Sequence, residues 1–220
     1  MITAIIQCRY GSTRLPGKAL LKIGDKTILH HCVETAGRIQ GLDGVMVATG
    51  SPTTNGLIID ECKRIGVECF SDYWIDEDNV LERMICAGIR KATPYVLRLC
   101  ADSPFYDTTY ADRAIEIVRK EPGYDYYAYY YKDEGLPTVA KYPFGDLCEI
   151  ISLKALVDVH LKPRTMSEVE HVTPYIYTFA EEYKIRKITI TELPLRYSCI
   201  DTELDLKANR KWYKKKLIIT

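Results

Sequence analysis

The stretch ITAIIQCRYGSTRLPGK, residues 2–18, decides the fold and indicates the kind of ligand. It opens with a mostly apolar run, Ile2–Cys8, which is typical of a strand buried on both faces of a sheet. The next ten residues, Arg9–Lys18, hold two glycines, two aliphatic hydroxyls and three cations. A buried strand that leads directly into such a loop predicts an α/β sheet with a phosphate-binding loop at its edge.

The basic loop, residues 9–18, has the chemistry of a cradle for a polyphosphate. Gly11 lets backbone N–H groups approach a phosphate closely, Arg9 and Arg14 present planar forks, and Lys18 presents a point charge. A Walker A loop is excluded, because five residues separate the glycines and alanine follows the lysine. The G-x-G-x-x-G pattern is also absent. The alternative is an ordinary surface turn, but a turn does not need three cations.

Strand-like and helix-like segments alternate through the first half of the chain. Further strands are expected at 45–48, 67–70 and 95–100, and helices at 27–39, 57–65, 80–89 and 110–120. This alternation predicts a three-layer α/β fold with a mostly parallel central sheet and helices on both faces. Ligands bind at the carboxyl ends of such strands, so we expect the residues after Cys8, Ala48 and Cys100 to face a ligand.

The second half of the chain is less regular. Six tyrosines within residues 124–131 predict a strand with amphipathic faces, and a stacking platform for bases or sugars is the alternative. Further strands are expected at 146–151, 183–191 and 195–200, and helices at 153–160, 172–182 and 203–216. Because no linker or repeat divides the chain, we expect one domain, 1–220, with a regular half (1–120) and a less regular half (121–220).

The composition excludes some partners. Lys and Arg number 30, as do Asp and Glu, whereas a protein that coats nucleic acid usually needs a basic excess. No apolar run approaches the ~20 residues that span a membrane, and the start of the chain predicts no signal peptide. The eight cysteines are scattered without a C-x-x-C pair, which predicts reduced thiols in a cytoplasmic protein. We therefore expect neither nucleic acid nor membrane as a partner.

Two aspartates follow predicted strands. Asp102 comes after the strand at 95–100, and Asp201 ends the last predicted strand. If these strands run parallel, both carboxylates lie at one edge of the sheet, where they could bind a hard cation such as Mg²⁺. The alternative for each is a helix cap, since Asp102 could cap a turn before Thr108 and Asp201 precedes a helix.

Six segments along the chain carry a family resemblance. They are IIQCRYGSTRLPGKAL (5–20), VMVATGS (45–51), DEDNVLERM (76–84), RLCADSP (98–104), EVEHVTPYIY (168–177) and CIDTELDL (199–206). In this order they resemble the cytidylyltransferases of the spore coat polysaccharide biosynthesis protein F family. These are relatives of 3-deoxy-manno-octulosonate cytidylyltransferase, the CMP-KDO synthetase. Six matches in order are far more specific than any single motif.

The resemblance implies transfer of CMP from CTP to an oxygen of an acidic sugar or related acceptor, with release of pyrophosphate. It implies a fold of the nucleotide-diphospho-sugar transferase type, with a nucleotide-binding half (1–120) and an acceptor and dimerisation half (121–220), and a homodimer. The nucleotide would be bound by Arg9, Gly11, Ser12, Arg14, Lys18, Thr49 and Asp102, with Thr49 close to the base. The metal would be Mg²⁺ on Asp102 and Asp201, and catalysis would depend on Arg9, Lys18, Asp102 and Asp201. The acceptor would be bound by Glu149, Glu170, His171 and Tyr175.

Some assignments stay open at the level of sequence. Asp78 and Arg83 match the family's D-V-L-x-R segment, but Asp78 could equally cap a helix. Ala101 stands where the family often has glycine. A sugar-phosphate nucleotidyltransferase that uses another nucleotide and a non-catalytic nucleotide-binding protein are the alternative functions. The identity of the acceptor is the least determined part.

Overall fold

The computed structural model describes residues 1–132, 135–141, 147–162, 164–194 and 199–219. Its strands are β1 (Ile2–Gln7), β2 (Lys22–Ile23), β3 (Lys26–Thr27), β4 (Gly44–Ala48), β5 (Glu68–Phe70), β6 (Tyr95–Cys100), β7 (Tyr126–Tyr131), β8 (Glu149–Ser152) and β9 (Ile185–Ile190). Its α-helices are α1 (Ile28–Ala36), α2 (Pro52–Ile65), α3 (Val80–Arg90), α4 (Thr108–Lys120), α5 (Thr138–Lys141), α6 (Leu153–Leu161), α7 (Met166–His171), α8 (Pro174–Thr178) and α9 (Glu203–Ile219).

Within these ranges, seven strands form one sheet in the order β5-β4-β1-β6-β8-β7-β9. β1 pairs in parallel with β4 and β6, β4 with β5, and β7 with β9. β8 runs antiparallel to its neighbours β6 and β7. The carboxyl ends of β1, β4 and β6 therefore meet at one edge, and the predicted mostly parallel sheet is confirmed.

Helices cover both faces of this sheet. On one face, α1, α2 and α4 share an apolar cluster with Ile6 of β1. On the other face, α3, α6 and α8 share a cluster with Ile5. Ile5 and Ile6 are both fully buried, because successive side chains of a strand point to opposite faces. The predicted three-layer α/β fold is thus confirmed.

The tyrosine-rich segment forms β7, as predicted. Tyr126 and Tyr130 pack into one apolar cluster, whereas Tyr127 and Tyr129 pack into the other. The hydroxyl groups of the second pair donate to backbone carbonyl oxygens, at 2.6 Å for Tyr129 and 2.7 Å for Tyr127. A tyrosine ring buries a large apolar surface if its hydroxyl finds a partner. These rings therefore belong to the core, and the alternative of a stacking platform is wrong.

The predicted helix at 172–182 is confirmed only in part, because the chain bends sharply at Val172, and a short helix (Pro174–Thr178) and a 3-10 turn (Ala180–Glu182) stand in place of one continuous helix. This residue has φ 70° and ψ −54°, and Thr173 N–H donates to the His171 carbonyl oxygen at 2.8 Å. The result is a γ-turn, which a β-branched residue rarely adopts. Two short helices, α7 and α8, occupy 166–178 instead, and Pro174 starts the second of them.

Two further differences from the sequence expectation concern strands. The β2–β3 hairpin was not predicted, because each of its strands is only two residues long. The strand predicted at 195–200 falls mostly on residues 195–198, which lie outside the described residues, and Cys199 and Ile200 are not in a strand. The expectation of one domain with halves 1–120 and 121–220 stays a prediction. None of the helices in the described ranges is long and apolar enough to cross a membrane.

A buried histidine makes the stability of the fold depend on pH. His31 is 4% exposed and packs against the rings of Phe105 and Tyr213. Its Nε2 lies 2.8 Å from the Ile23 carbonyl oxygen. Burial lowers the pKa of His31, although this hydrogen bond opposes the shift. The folded protein therefore resists protonation of His31 more than the unfolded chain does.

This difference in the pKa of His31 between the folded and the unfolded protein predicts that acid lowers the stability of the fold. A base whose pKa is lowered on folding contributes stability above its unfolded pKa, about 6.5 for histidine, and loses it as the pH falls towards and through the folded value. We expect the Tm of the wild type to fall between about pH 7 and about pH 5, and to fall less in His31→Phe. Scanning calorimetry of both proteins across this range checks the expectation, and equal slopes would contradict it.

Candidate active site

A cavity of about 270 Å³ opens at the carboxyl ends of β1 and β6. From the basic loop it is lined by Arg9, Ser12, Arg14 and Lys18. From elsewhere in the chain it is lined by three further residues that the sequence assigns to the site, Asp102, Glu170 and His171. The structure therefore brings most of the predicted site into one cavity.

The conformation of the basic loop depends on one glycine, Gly17. Gly17 has φ 63° and ψ 21°, in the left-handed region that glycine adopts readily. A Cβ at this position would lie 3.2 Å from the Tyr10 ring. Gly17 N–H donates to the Tyr10 carbonyl oxygen at 3.2 Å, and Tyr10 N–H donates to Asn55 Oδ1 at 2.8 Å. This closed turn directs the next residue, Lys18, into the cavity.

Lys18 contacts both aspartates, Asp102, which lines the cavity, and Asp201, which is not among the lining residues in the described part of the chain. Its Nζ lies 2.8 Å from Asp102 Oδ2 and 3.0 Å from Asp201 Oδ1. Arg14 Nη2 lies 3.0 Å from the same Asp201 oxygen. Burial alone would lower the pKa of Lys18, but the charges and hydrogen bonds of both aspartates outweigh it and raise the pKa. Lys18 is therefore a stable cation, and it holds the two carboxylates within two hydrogen-bond lengths of each other.

Backbone contacts place Asp201 beside Asp102. Ile200 N–H donates to the Asp102 carbonyl oxygen at 2.8 Å, and Ile200 is buried in a third apolar cluster that includes residues of α1 and α9. Asp107 caps α4, and Asp205 accepts the backbone N–H of Asp201 at the start of α9. The side chains of Asp102 and Asp201 face Lys18 instead of a helix end, so the capping alternative is wrong for both.

The two aspartates fit a divalent cation that also binds a substrate. Their oxygens surround one cationic nitrogen, Lys18 Nζ, which shows that positive charge is accommodated between them. Among the residues that the structure describes, no group of three or more His, Cys, Asp or Glu side chains could hold a metal. Mg²⁺ is commonly held by one or two carboxylates together with substrate phosphates and water. Asp102 and Asp201 are therefore the residues that could hold such a metal.

Arg9 pairs with acids from two different elements. Its Nη1 contacts Asp78, which precedes α3, and its Nη2 lies 3.2 Å from Glu170 Oε1 on α7. Asn79 caps α3, because its Oδ1 accepts the Glu82 N–H at 3.0 Å. Asp78 is thus an ion-pair partner of Arg9, and the capping alternative is wrong for it. Arg9 has five N–H donors and uses two of them in these contacts, so it keeps donors that could bind a phosphate.

Two residues that the sequence assigns to the acceptor lie behind the cavity wall. Glu149 is 2% exposed, and its oxygens accept hydrogen bonds from Arg98 Nη1 at 2.8 Å and from the Tyr126 hydroxyl. Tyr175 is 8% exposed and packs against the Phe179 ring. In the described part of the chain, neither residue is among those that line the cavity. Any contribution to acceptor binding would be indirect, and both assignments stay predictions.

Gly11 and Thr49, which the sequence assigns to the nucleotide, lie beside the cavity. Gly11 N–H donates to Glu77 Oε1 at 3.4 Å. Thr49 follows β4 and is fully buried, and its N–H donates to the Phe70 carbonyl oxygen at 2.9 Å. The Thr49 hydroxyl is buried and has no hydrogen-bond partner among the described residues. Their binding roles stay predictions.

Arg98 and Arg83 line the cavity, although the sequence does not assign them to it. Arg98 Nε lies 3.3 Å from Gln7 Oε1, and its Nη1 binds Glu149, so one guanidinium joins β1, β6 and β8. No partner of Arg98 Nη2 is found within the described ranges. Arg83 is 1% exposed and points to the cavity from α3. The available signal was an arginine inside an apolar strand or helix, because such a residue is rarely buried without a partner.

The thiols near the cavity are not nucleophiles. Cys8 and Cys100 line it, and Cys199 Sγ lies 3.0 Å from Ser103 Oγ. Burial raises the pKa of all three thiols, that of Cys100 to about 11. A protonated thiol is a poor nucleophile and a poor metal ligand. The raised pKa values therefore disfavour a nucleophilic role for these thiols, and Cys8 and Cys100 contribute to the lining of the cavity.

The parallel sheet, with its basic loop and acidic pair at one edge, defines the protein as an α/β fold of the nucleotidyltransferase type. Comparison with known sequences is more specific. The sequence model of the family described as cytidylyltransferase matches residues 3–217. The chain belongs to this cytidylyltransferase family, which confirms the resemblance of the six segments.

Two curated relatives illustrate the family. Spore coat polysaccharide biosynthesis protein SpsF of Bacillus subtilis is 27% identical over 222 residues, which cover 97% of this chain and 87% of SpsF. The 8-amino-3,8-dideoxy-manno-octulosonate cytidylyltransferase of Shewanella amazonensis is 29% identical over 130 residues. That alignment covers 56% of this chain and 49% of the relative.

Two solved structures are similar over nearly the whole chain. A cytidylyltransferase from Leptospira borgpetersenii superposes with a TM-score of 0.82 at 25% identity, covering 95% of this chain and 84% of that one. CMP:2-keto-3-deoxy-manno-octonic acid synthetase, solved in complex with CTP, superposes with a TM-score of 0.74 at 18% identity. The coverage is 98% of this chain and 99% of the synthetase. The second likeness shows the fold alone.

Proposed function

We propose that this protein transfers CMP from CTP to an oxygen of a small acidic acceptor and releases pyrophosphate, in polysaccharide or cell-surface glycan biosynthesis. The observation that carries the proposal is the contact of Lys18 with Asp102 and Asp201 beside the basic loop. Such an arrangement offers cations to a triphosphate and carboxylates to its metal ion. Membership of the cytidylyltransferase family supports CTP as the nucleotide.

The basic loop would hold the triphosphate. The acceptor hydroxyl loses its proton to solvent and its oxygen forms a bond to the α-phosphorus, while the bond from this phosphorus to the oxygen of the pyrophosphate breaks. Negative charge therefore grows on the leaving pyrophosphate. Arg14 and Lys18, with Ser12 and the backbone at Gly11, stabilise that charge more in the transition state than in the bound substrate.

Asp102 and Asp201 would hold Mg²⁺. When bound, Mg²⁺ polarises the phosphoryl group and lowers the pKa of a coordinated hydroxyl. In the structure Lys18 and Arg14 pair with these carboxylates. Triphosphate oxygens give both cations another anionic partner. Nucleotide binding would thereby free Asp102 and Asp201 for the metal.

The acceptor would contact Arg98, Glu170 and His171 in the same cavity. A guanidinium takes a carboxylate in a planar, two-bond arrangement, and Arg98 has two Nη2 protons with no partner in the described part of the chain. Glu149 would position Arg98, and Tyr175 would support α8 from the core. A relative named for an octulosonate, which is an acidic sugar, supports an acidic acceptor.

The proposal also covers the oligomeric state of the protein and its compartment. We infer a homodimer of single-domain chains, 1–220, in the cytoplasm, where CTP is available and where free thiols stay reduced. The eight cysteines, all within the described ranges, are free thiols. Light scattering on the purified protein tests the dimer.

A nucleotide panel tests the identity of the donor. We expect CTP with Mg²⁺ to raise the Tm by about 5 °C at saturation, because a ligand that binds only the folded state stabilises it. ATP, GTP and UTP should give much smaller shifts. A larger shift with another nucleotide would contradict the proposal and would support a sugar-phosphate nucleotidyltransferase instead.

An acceptor panel then tests the reaction. We expect pyrophosphate release from CTP with at least one acidic sugar or phosphonate, and none without an acceptor. Neutral sugars of the same size serve as matched controls for the carboxylate. Tight CTP binding without pyrophosphate release across the whole panel would contradict the enzyme assignment and would indicate a non-catalytic nucleotide-binding protein.

A further inference from the structure

Tyr126 donates its hydroxyl hydrogen bond to a side chain, unlike Tyr127 and Tyr129 in the same strand. The acceptor is Glu149 Oε1, whereas the other two hydroxyl groups donate to backbone carbonyl oxygens. Tyr126 and Glu149 are both buried. Burial and the charge of Glu149 raise the pKa of Tyr126, so its hydroxyl group stays protonated and remains a donor. One oxygen of a buried carboxylate thus has a dedicated donor.

The other oxygen of Glu149 binds an arginine that lines the cavity. Glu149 Oε2 accepts a hydrogen bond from Arg98 Nη1 at 2.8 Å, and Arg98 Nε donates to Gln7 Oε1 at 3.3 Å. A guanidinium is planar and rigid, so contacts at Nε and Nη1 fix the plane of the whole group. Arg98 lines the cavity, and its third nitrogen, Nη2, has no partner within the described ranges. This network therefore determines how Nη2 is presented to a ligand.

The Tyr126 hydroxyl group limits the contact between Arg98 and Glu149 to one hydrogen bond. A guanidinium and a carboxylate often pair through two parallel hydrogen bonds. Such a pair would need both oxygens of Glu149, and the hydrogen bond from Tyr126 engages one of them. Without the hydroxyl group, the carboxylate can turn and bind two nitrogens of Arg98. Arg98 would then offer fewer donors to a molecule in the cavity.

We infer that Tyr126 is a positioning residue that determines the preference for a carboxylate on the acceptor, because it holds Glu149 so that Arg98 Nη2 stays available. This inference rests on the proposed function, in which Arg98 binds that carboxylate. In the described part of the chain Tyr126 is not among the residues that line the cavity, so its hydroxyl group acts through the other two side chains. An amide of the same size suits the arginine less well, because its nitrogen is itself a donor.

Tyr126→Phe tests this role, because it keeps the ring and removes only the hydroxyl group. The substrates are an acidic sugar that the acceptor panel shows to be active and the primary amide of the same sugar. We expect the KM for the acidic sugar to rise by about tenfold or more, since a hydrogen bond to a charged group has effects of this size. The KM for CTP and kcat should stay near the wild-type values. The ratio of kcat/KM for acid over amide should fall.

Tyr129→Phe is the matched control. It removes a hydroxyl group from the same strand, where Tyr129 is buried and donates to the Tyr110 carbonyl oxygen. Both variants should lower the Tm, because each leaves a buried acceptor without its donor. Only Tyr126→Phe should change the KM for the acidic sugar. A purely structural role would lower the Tm in both variants and leave both KM values at the wild-type level, which would overturn the inference.

A double-mutant cycle with Glu149→Gln tests whether Tyr126 acts through Glu149. In that background Tyr126→Phe should change the KM for the acidic sugar by less than about twofold, because substitutions within one hydrogen-bond network are not additive. An equal effect of Tyr126→Phe in both backgrounds would overturn the inference. If the variants that contain Glu149→Gln do not fold, the comparison with Tyr129→Phe decides.

The wild-type reaction separates this inference from the proposed function. Suppose that the wild type releases pyrophosphate with an acidic sugar, and that Tyr126→Phe keeps both its KM and its ratio of acid over amide. The inference is then overturned and the proposed function stands. If the wild type releases no pyrophosphate with any acidic acceptor, both are overturned.

Discussion

Asp102→Asn and Asp201→Asn should each lower kcat/KM for pyrophosphate release by about 10³-fold or more, because each removes a charged ligand of the proposed Mg²⁺ site. The amide keeps the size of the side chain but loses the negative charge that opposes Lys18. Tenfold corresponds to about 1.4 kcal/mol, so the loss in transition-state stabilisation is about 4 kcal/mol. Steady-state kinetics with CTP and an active acceptor give the measurement.

Asp60→Asn is the matched control for this pair. It makes the same chemical change on α2, where the Asp60 side chain is 71% exposed. It should leave kcat/KM unchanged. Far-ultraviolet circular dichroism and the Tm of all three variants establish that they are folded. Full activity in folded Asp102→Asn or Asp201→Asn would contradict the metal assignment.

Lys18→Gln should change two properties in opposite directions. Activity should fall by about 10²–10³-fold, because a cation that stabilises the leaving pyrophosphate is lost. Affinity for a divalent cation in the absence of nucleotide should rise. Lys18 Nζ contacts both carboxylates in the wild type, so it competes with a metal for the same oxygens. Removal of a positive charge that competes for these carboxylates would strengthen their attraction for a metal ion by up to several kcal/mol near a protein surface.

Titration of the nucleotide-free protein with Mn²⁺, followed by water-proton relaxation, measures this affinity directly. We expect at least a tenfold (about 1.4 kcal/mol) tighter binding in Lys18→Gln than in the wild type. Lys26→Gln is the control, because Lys26 pairs with Glu34 away from the cavity. Equal Mn²⁺ affinities in wild type and Lys18→Gln would contradict the idea that Lys18 occupies the cation position.

The central part of the fold could be predicted because its signals are local. The run Ile2–Cys8 and the segments at 45–48 and 95–100 are apolar throughout, as strands buried on both faces must be. The parallel edge then followed from the alternation of strands and helices. The break at Val172 could not be predicted, because tertiary packing holds this valine at a positive φ that its own preference opposes.

Site residues could be predicted from the sequence where a motif directly follows the end of a strand. Lys18 and Asp102 follow β1 and β6, and the sheet brings them together. Glu149 shows the limit of this approach. The family resemblance implied an acceptor contact for Glu149, but in the structure its carboxylate accepts a hydrogen bond from Arg98 behind the cavity wall. Sequence shows which residues are charged, whereas the partner of each charge depends on packing across strands that are distant in sequence.

Arg83 shows a different limit. Its position in an apolar helix signals a buried arginine, but the sequence does not show that its Nε and Nη1 lack a hydrogen-bond partner among the described residues. That property depends on α3 packing against the ends of β1 and β4. A buried group that lacks a hydrogen-bond partner can be recognised only from the structure, because only the structure shows where the surrounding polar groups lie.

Phosphorus NMR of a reaction mixture tests the central claim most directly. With CTP, Mg²⁺ and an acidic acceptor, the account predicts a new phosphodiester signal from the CMP conjugate together with an equal amount of pyrophosphate. Neither signal should appear with Asp102→Asn. Formation of CDP and orthophosphate, or of CMP without a conjugate, would contradict the account, because cleavage would then occur at another phosphorus or with water as the acceptor.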